Sequence, residues 1–401
     1  MVSVPMYLPL MAEASDISAG SDVFFGAVSL YLQQKAPGLR VVTRSLQRLL
    51  DSAPVLKIAA KRAGTVRAGG LGSMTLSMLE GRDDVIRAEA GKMIEWLRKL
   101  GKIDLVHFSN ALILGLAPML KKELGAGIVC HLQDEHQWVD ALEGEYVGKC
   151  WRAMSERAGA VEALIAVSRF YADYMALRMK IDPADIRVVY PGVDVSGYPV
   201  ASPGKGQPVI GYLSRLTESL GLSSLIEAFL MLKKDSRYAG LKLKISGGGT
   251  SEDRGFVDSL LSRCSLSGCD QDVEVLDDFD ARTRKRFFES LALLCVPCRE
   301  PEAIGGQVVE ALASGVPVVH PDIGGAPELI KAAGGGKIVA SSESAVLAEG
   351  IGCCLEDREW LGRAGRNARR YAENELDVSV SAAKIAEVYS AAKQKGVNQD
   401  V

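Results

Sequence analysis

The sequence predicts a two-domain α/β protein built on parallel sheets, and three observations carry that reading. Apolar, β-rich runs alternate with amphipathic helical runs along the chain, the pattern of strands covered by helices on both faces. At 401 residues the chain has room for two to three domains of ordinary size. The alternation is interrupted near the middle by "PGVDVSGYPVASPGKGQP", dense in Pro, Gly and Ser, and then restarts. Hydrophobic residues make up 48% and charged residues 24%, the balance of a soluble protein with ample core. A net charge of −3 gives no reason to expect a nucleic-acid partner.

In the first half, "IDLVHFS" reads as a buried strand. "ALILGLAPMLKKELG" follows as a helix stopped by glycine, and "AGIVCHL" as the next strand. "VEALIAVS" is a strand, "RFYADYMALRMK" a helix, and "DIRVVYPGVD" a strand running into the linker. Beyond the linker come "VIGYLS" (strand), "LSSLIEAFLMLKK" (helix), "LKLKISGGG" (strand with a glycine-rich exit), "VEVLDDF" (strand), "RTRKRFFES" (helix) and "LALLCVPC" (strand). The last helix is "VSVSAAKIAEVYSAAKQ". Neither half carries a strand–GxGxxG–helix unit or a G-x-x-x-x-G-K-[ST] loop, which disfavours those two phosphate-binding solutions. No apolar run reaches the ~18 residues that span a bilayer, and the N-terminus lacks the pattern of a signal peptide. The eight cysteines sit mostly inside apolar stretches, as free thiols in a reducing cytoplasm do; Cys295 and Cys298 lack the second pair that a zinc site needs. Arg363, Arg366, Arg369 and Arg370 fall on one helix face, a solvated surface or a peripheral contact with an anionic inner membrane face.

The chemistry concentrates in "PCREPEAIGGQVVEALASGVPVVHPDIGGAPELI". A strand ends at Pro297, and a helix starts near Gly305 and Gly306 and stops at Gly315. Two glycines at a helix start let a ligand approach unpaired amides, where the helix dipole adds positive charge; this is an anion site without a lysine. Glu302 lies in the loop before it and Glu310 about one and a half turns in. Carboxylates on either side of a diphosphate cradle suit the hydroxyls of a nucleotide sugar. Gly324 and Gly325 before "APELI" read as a repeat of the device, and the competing reading is a pair of ordinary strand–loop–helix turns. His107 reads as a core or loop-end residue, and His320 ends a strand where it could touch a donor.

Glu302, seven residues and Glu310, followed by "ALASGVPVV" and "GGAPELI", resemble the signature of the family 4 retaining glycosyltransferases of the GT-B fold. "LIAVSRFYADYM", "VVYPGVD", "GYLSRLTESLGLSSLIEAF" and "LKISGGG" follow in that family's order, and "SDVFFGAVSLYLQQ" is similar to its glycine-bearing first loop and helix. The resemblance implies two Rossmann-like, doubly wound domains facing a central cleft. Residues 1–190 would bind the acceptor, 191–207 form the linker, 208–375 bind the nucleotide sugar, and 376–401 form a helix able to cross back to the first domain. It implies donor contacts from Gly26, Arg215, Gly247, Gly248, Asp278, Phe279, Glu302, Ile304, Gly305, Gly306, Gln307 and Glu310. Glu302, Arg215 and Gln133 would serve the chemistry, with His131, Asp134 and Glu135 on the acceptor side. Transfer would be retaining and independent of metal or cofactor. The donor would be a UDP-sugar ahead of GDP-mannose, the acceptor a glycan, a lipid-linked glycan or a small molecule. Two positions depart from the pattern: Leu220 stands where the family has a lysine and Gln133 where it has a histidine. A nucleotide-sugar epimerase or hydrolase on the same fold, and a non-catalytic sugar-binding partner subunit, are the alternatives.

Overall fold

A computed structural model describes residues 1–2, 71–248, 253–276 and 280–398. Gly26, Asp278 and Phe279 lie outside the described residues. The chain forms two compact units: Met1–Ile165 with Tyr174–Arg187 and Val388–Val401, and Ala166–Asp173 with Val188–Glu387. Thus the division falls inside the fourth strand, between Arg187 and Val188, ahead of the linker read from composition, and two further pieces are exchanged.

Each exchanged piece is tied by specific bonds. In the second unit, Ser168 Oγ donates to Ala303 O, and the Arg169 and Phe170 amides donate to the Glu328 carboxylate at 2.8 and 3.2 Å. Glu328 thereby caps the helix Arg169–Met179. The last helix, Val378–Asn398, ends in the first unit, where Tyr389 bonds to His107 and Lys393 pairs with Asp104 at 3.3 Å.

The first unit holds strands β1 (Leu105–Phe108), β2 (Gly127–Leu132), β3 (Ala163–Ala166) and β4 (Ile186–Val188), in that spatial order. The second holds β5 (Val209–Leu213), β6 (Lys242–Ser246), β7 (Val273–Leu276), β8 (Leu293–Cys295), β9 (Val318–Pro321) and β10 (Gly336–Val339). Its order is β10-β9-β8-β5-β6-β7, with every pair parallel. The chain starts in the middle, winds outward to β7, then returns to wind the other way. That reversal leaves a crevice at the carboxyl ends of β5 and β8, the place where doubly wound sheets take ligands. The core beneath packs Ile210, Tyr212, Leu225, Phe229, Leu243 and Leu293, all at most 1% exposed.

Candidate active site

The loops after β5, β6 and β8 meet at this switch point, and glycines let them approach. Gly221 has φ 77°, and a Cβ there would sit 1.9 Å from Pro297 O. At Gly247 a Cβ would sit 1.7 Å from Ser214 O. Leu216 N donates to Gly248 O at 3.0 Å, so Gly247 and Gly248 hold the loop that carries Arg215. The Tyr212 hydroxyl, buried in the sheet, fixes the same loop by donating to Arg215 O at 2.8 Å. Arg215 itself is exposed. Burial raises the Tyr212 phenol, the Glu302 charge pushes it further and Arg215 pulls it back, so both charged groups lie near this phenol.

After β8 the chain runs to the helix Gly306–Ala313. Gly305 is its N-cap at φ 76°, and no side chain caps the helix, so its first amides are open to a ligand. A Cβ on Gly306 would meet nothing within 4 Å. Glu302 stands beside this opening, its Oε2 accepting from Gln307 Nε2 at 2.9 Å. The main chain of Glu302 is fixed too, because Gly325 N donates to its carbonyl at 3.0 Å. Ile304 is buried.

Glu310 is 9% exposed and already has partners. The Tyr198 hydroxyl donates to its Oε1 at 2.7 Å, and Arg284 Nε lies 3.2 Å from its Oε2. The second contact is an ion pair out of line for a hydrogen bond, and Oε2 accepts none. Burial pushes the Glu310 carboxyl up, while Arg284 and the Tyr198 hydrogen bond pull it down.

Several expectations are corrected here. Gly324 and Gly325 form no second anion cradle, because Cβ atoms there would strike Glu302 O at 2.7 Å and Ala303 O at 2.0 Å: the space is filled by backbone. His320 does not face a donor. It is 1% exposed, with Nδ1 2.6 Å from Pro321 O and Nε2 3.5 Å from Cys298 Sγ, and burial lowers its pKa to about 4. Leu220 is buried, so the position of the family's lysine is packed rather than charged. The nearby cation Arg299 is held by Glu218 at 2.6 Å and by Ser224 at 3.0 Å. Arg369 leaves the solvated arginine face, donating to Tyr198 O and Ala313 O.

In the first unit, the turn after β2 is built on Asp134, whose φ of 57° is left-handed. Glu135 is 2% exposed and clamps that turn: Oε1 accepts from Ala111 N at 2.9 Å and Oε2 from Gln133 N at 2.8 Å. A carboxylate committed to two amides is not presented to an acceptor, contrary to expectation. Gln133 is exposed, its Nε2 donating to Ser109 O at 2.7 Å. His131 Nδ1 lies 2.8 Å from His107 Nε2, and His107 Nδ1 lies 2.6 Å from Tyr389 Oη. Burial lowers the pKa of His131 to about 4 and that of His107 as well, with the His107 charge adding to the effect at His131. His107 is therefore the centre of a hydrogen-bonded row, and its partner Tyr389 comes from a helix almost three hundred positions away. Among the described residues, no three His, Cys, Asp or Glu side chains are grouped to hold a metal, and no helix is long and apolar enough to cross a membrane.

Sequence reading missed Tyr198 and Arg284. Tyr198 lay in a stretch taken as linker and Arg284 in a plain basic helix; neither has a local signal, because both act through contacts distant in sequence.

The family model described as glycosyl transferases group 1 matches residues 200–371, and that of glycosyltransferase family 4 matches residues 58–196. A D-inositol 3-phosphate glycosyltransferase of Nocardia farcinica is 23% identical, over 96% of this chain and 87% of the relative. A glycogen synthase of Mycobacterium tuberculosis is 29% identical over 63% of this chain and 61% of its own length. Among solved structures, Anabaena HepE in complex with UDP has a TM-score of 0.64 at 22% identity, covering 76% of this chain and 82% of that one. Sucrose-phosphate synthase from Thermosynechococcus elongatus has a TM-score of 0.61 at 16% identity, covering 76% and 78%. The fold is that of the GT-B enzymes, and the chain is a glycosyltransferase belonging to the group 1, family 4 glycosyltransferases.

Proposed function

We propose that this enzyme transfers a sugar from a UDP-sugar, with retention of configuration, to a hydroxyl of a glycan, lipid-linked or small-molecule acceptor. The observation that carries the reading is the uncapped, glycine-opened helix start at Gly305–Gly306 with Glu302 fixed beside it and Arg215 on the neighbouring loop. The diphosphate sits on the amides at Gly306 and Gln307 and pairs with Arg215. Glu302 accepts hydrogen bonds from hydroxyls of the transferred sugar, and Glu310 from the ribose. The base lies by Gly247 and Gly248 after β6. In the reaction the bond from the anomeric carbon to the diphosphate oxygen breaks, and one to the acceptor oxygen forms on the same face. The acceptor proton passes to the departing diphosphate oxygen. Arg215 and the helix amides stabilise the charge that develops there. No protein base is required, so Gln133, which cannot carry a proton, is compatible with a role in binding a hydroxyl. The acceptor is held by the first unit, through Gln133 and the residues around it.

HepE was solved with UDP and with UDP-glucose, which supports UDP over GDP here. The eight cysteines, all free thiols, fit a reducing cytoplasm. Thermal melting tests the donor: UDP at millimolar concentration raises the melting temperature and GDP does so less, because a ligand at free concentration L stabilises by RT ln(1 + L/Kd) and so more when its Kd is lower. No shift with either nucleotide would overturn the donor assignment. Release of sugar from the donor without any acceptor would favour hydrolysis over transfer.

A further inference from the structure

We propose that Tyr198, a residue of the interdomain segment, is a positioning residue for Glu310 and sets the enzyme's discrimination for the ribose hydroxyls of its nucleotide. The proposal rests on the reading of Glu310 as the ribose carboxylate.

Three observations point to it. First, Tyr198 is tied to the helix that carries Glu310 directly through its side chain and, by way of Arg369, through its main chain. Its hydroxyl donates to Glu310 Oε1 at 2.7 Å. Its carbonyl accepts from Arg369 Nη1 at 3.0 Å, and the same nitrogen donates to Ala313 O at the far end of that helix at 2.7 Å. Second, the ring is held from the sides, edge-on to Phe288 at 6.4 Å and under Lys285 Nζ at 5.5 Å. A phenylalanine would make those ring contacts equally well, so what the tyrosine adds is the bond to the carboxylate. Third, Oε2 of Glu310 accepts no hydrogen bond, although Arg284 Nε is 3.2 Å away.

A carboxylate turns easily about its last bond unless one oxygen is held. With Oε1 held by Tyr198, the direction of Oε2 is set. A buried carboxylate oxygen that lacks a hydrogen bond gains most from a donor that arrives with the ligand. A ribose hydroxyl supplies that donor, beside the Arg284 guanidinium that already balances the charge of Oε2 at 3.2 Å. The hydroxyl of Tyr198 thereby converts a flexible acceptor into one that reads a hydroxyl at a fixed place.

The test is calorimetric titration of the full-length protein, as wild type, Tyr198→Phe and Glu310→Gln, with UDP and with 2′-deoxy-UDP. Wild type should prefer UDP by about tenfold, the worth of one charge-assisted hydrogen bond at its low end. Glu310→Gln should abolish most of that preference. Tyr198→Phe should reduce it by about threefold or more while binding of the deoxynucleotide changes little, the low end of what one ordinary hydrogen bond is worth on balance. A residue that mattered only for folding would weaken both nucleotides alike and leave the ratio intact. Collapse of the ratio in Glu310→Gln but not in Tyr198→Phe overturns the positioning role and leaves Glu310 in place. An unchanged ratio in Glu310→Gln overturns both, as does wild-type protein that binds no nucleoside diphosphate. If GDP binds in place of UDP, the same comparison is made with 2′-deoxy-GDP.

Discussion

Gly305 and Gly306 are neighbours with different reasons to be glycine. At Gly305 the backbone requires it, because φ is 76° and a Cβ would press on Glu302 and Gln307 at 3.3 and 3.4 Å. At Gly306 the protein has no such need, since a Cβ would enter open space. Gly305→Ala should therefore lower stability by about 1–2 kcal/mol through the left-handed backbone. Gly306→Ala should leave stability unchanged or raise it by up to about 1 kcal/mol, since alanine is the better helix former. Yet it should weaken nucleotide binding by tenfold or more, because its methyl occupies the approach to the amides. Parallel thermal melts and UDP titrations check both. Equal UDP affinity in Gly306→Ala and wild type would count against a diphosphate at this helix start.

Among the elements, strands and their helices were legible because burial imposes long apolar runs at strand length and a helical period between them. The helix Gly306–Ala313 was legible for the same reason, with glycine marking both its ends. What could not be read was what fills the space at a helix start. "DIGGAPELI" carries the same glycine pair as "EAIGGQVVE", but its glycines are packed against the main chain of Glu302 and Ala303. Local sequence encodes the permission for close approach and not the identity of the visitor. Glu328, in the first turn of that second helix, is likewise committed to Arg169 and Phe170. Replacing it by alanine should remove a cap and lower stability by about 1–2 kcal/mol. Hydrogen exchange at the Arg169 and Phe170 amides should rise in step, and unaltered protection of those amides would refute the capping role. The tyrosines escaped notice because Tyr198 and Glu310 are 112 positions apart and no periodicity links them.

At the scale of the molecule, each unit keeps a neutral histidine that burial holds at a pKa of about 4, His131 in the first and His320 in the second. In the unfolded chain a histidine titrates near its ordinary 6.5. Between those values the unfolded chain binds more protons than the folded one, so stability falls as pH drops from about 6.5 to about 4 and levels off below. The loss per histidine is at most about 3 kcal/mol. Melts from pH 7 to 4.5 should show this slope. His320→Asn, which keeps a donor toward Pro321 O, should make it shallower, with His131 and His107 supplying the rest. An identical slope in the variant would show that other groups control acid stability.

The helix Arg169–Met179 starts in one unit and finishes in the other, and the chain's last helix does the same. For anyone recombining the two units from different transferases, this changes where the cuts belong. A single crossover in the proline- and glycine-rich segment would leave Glu328 facing a foreign helix start and Tyr389 facing a foreign histidine. Chimeras that carry residues 166–173 with the second unit and residues 388–401 with the first keep both partners matched. The modules that can be inherited together are therefore interleaved in the gene, although each is compact in space.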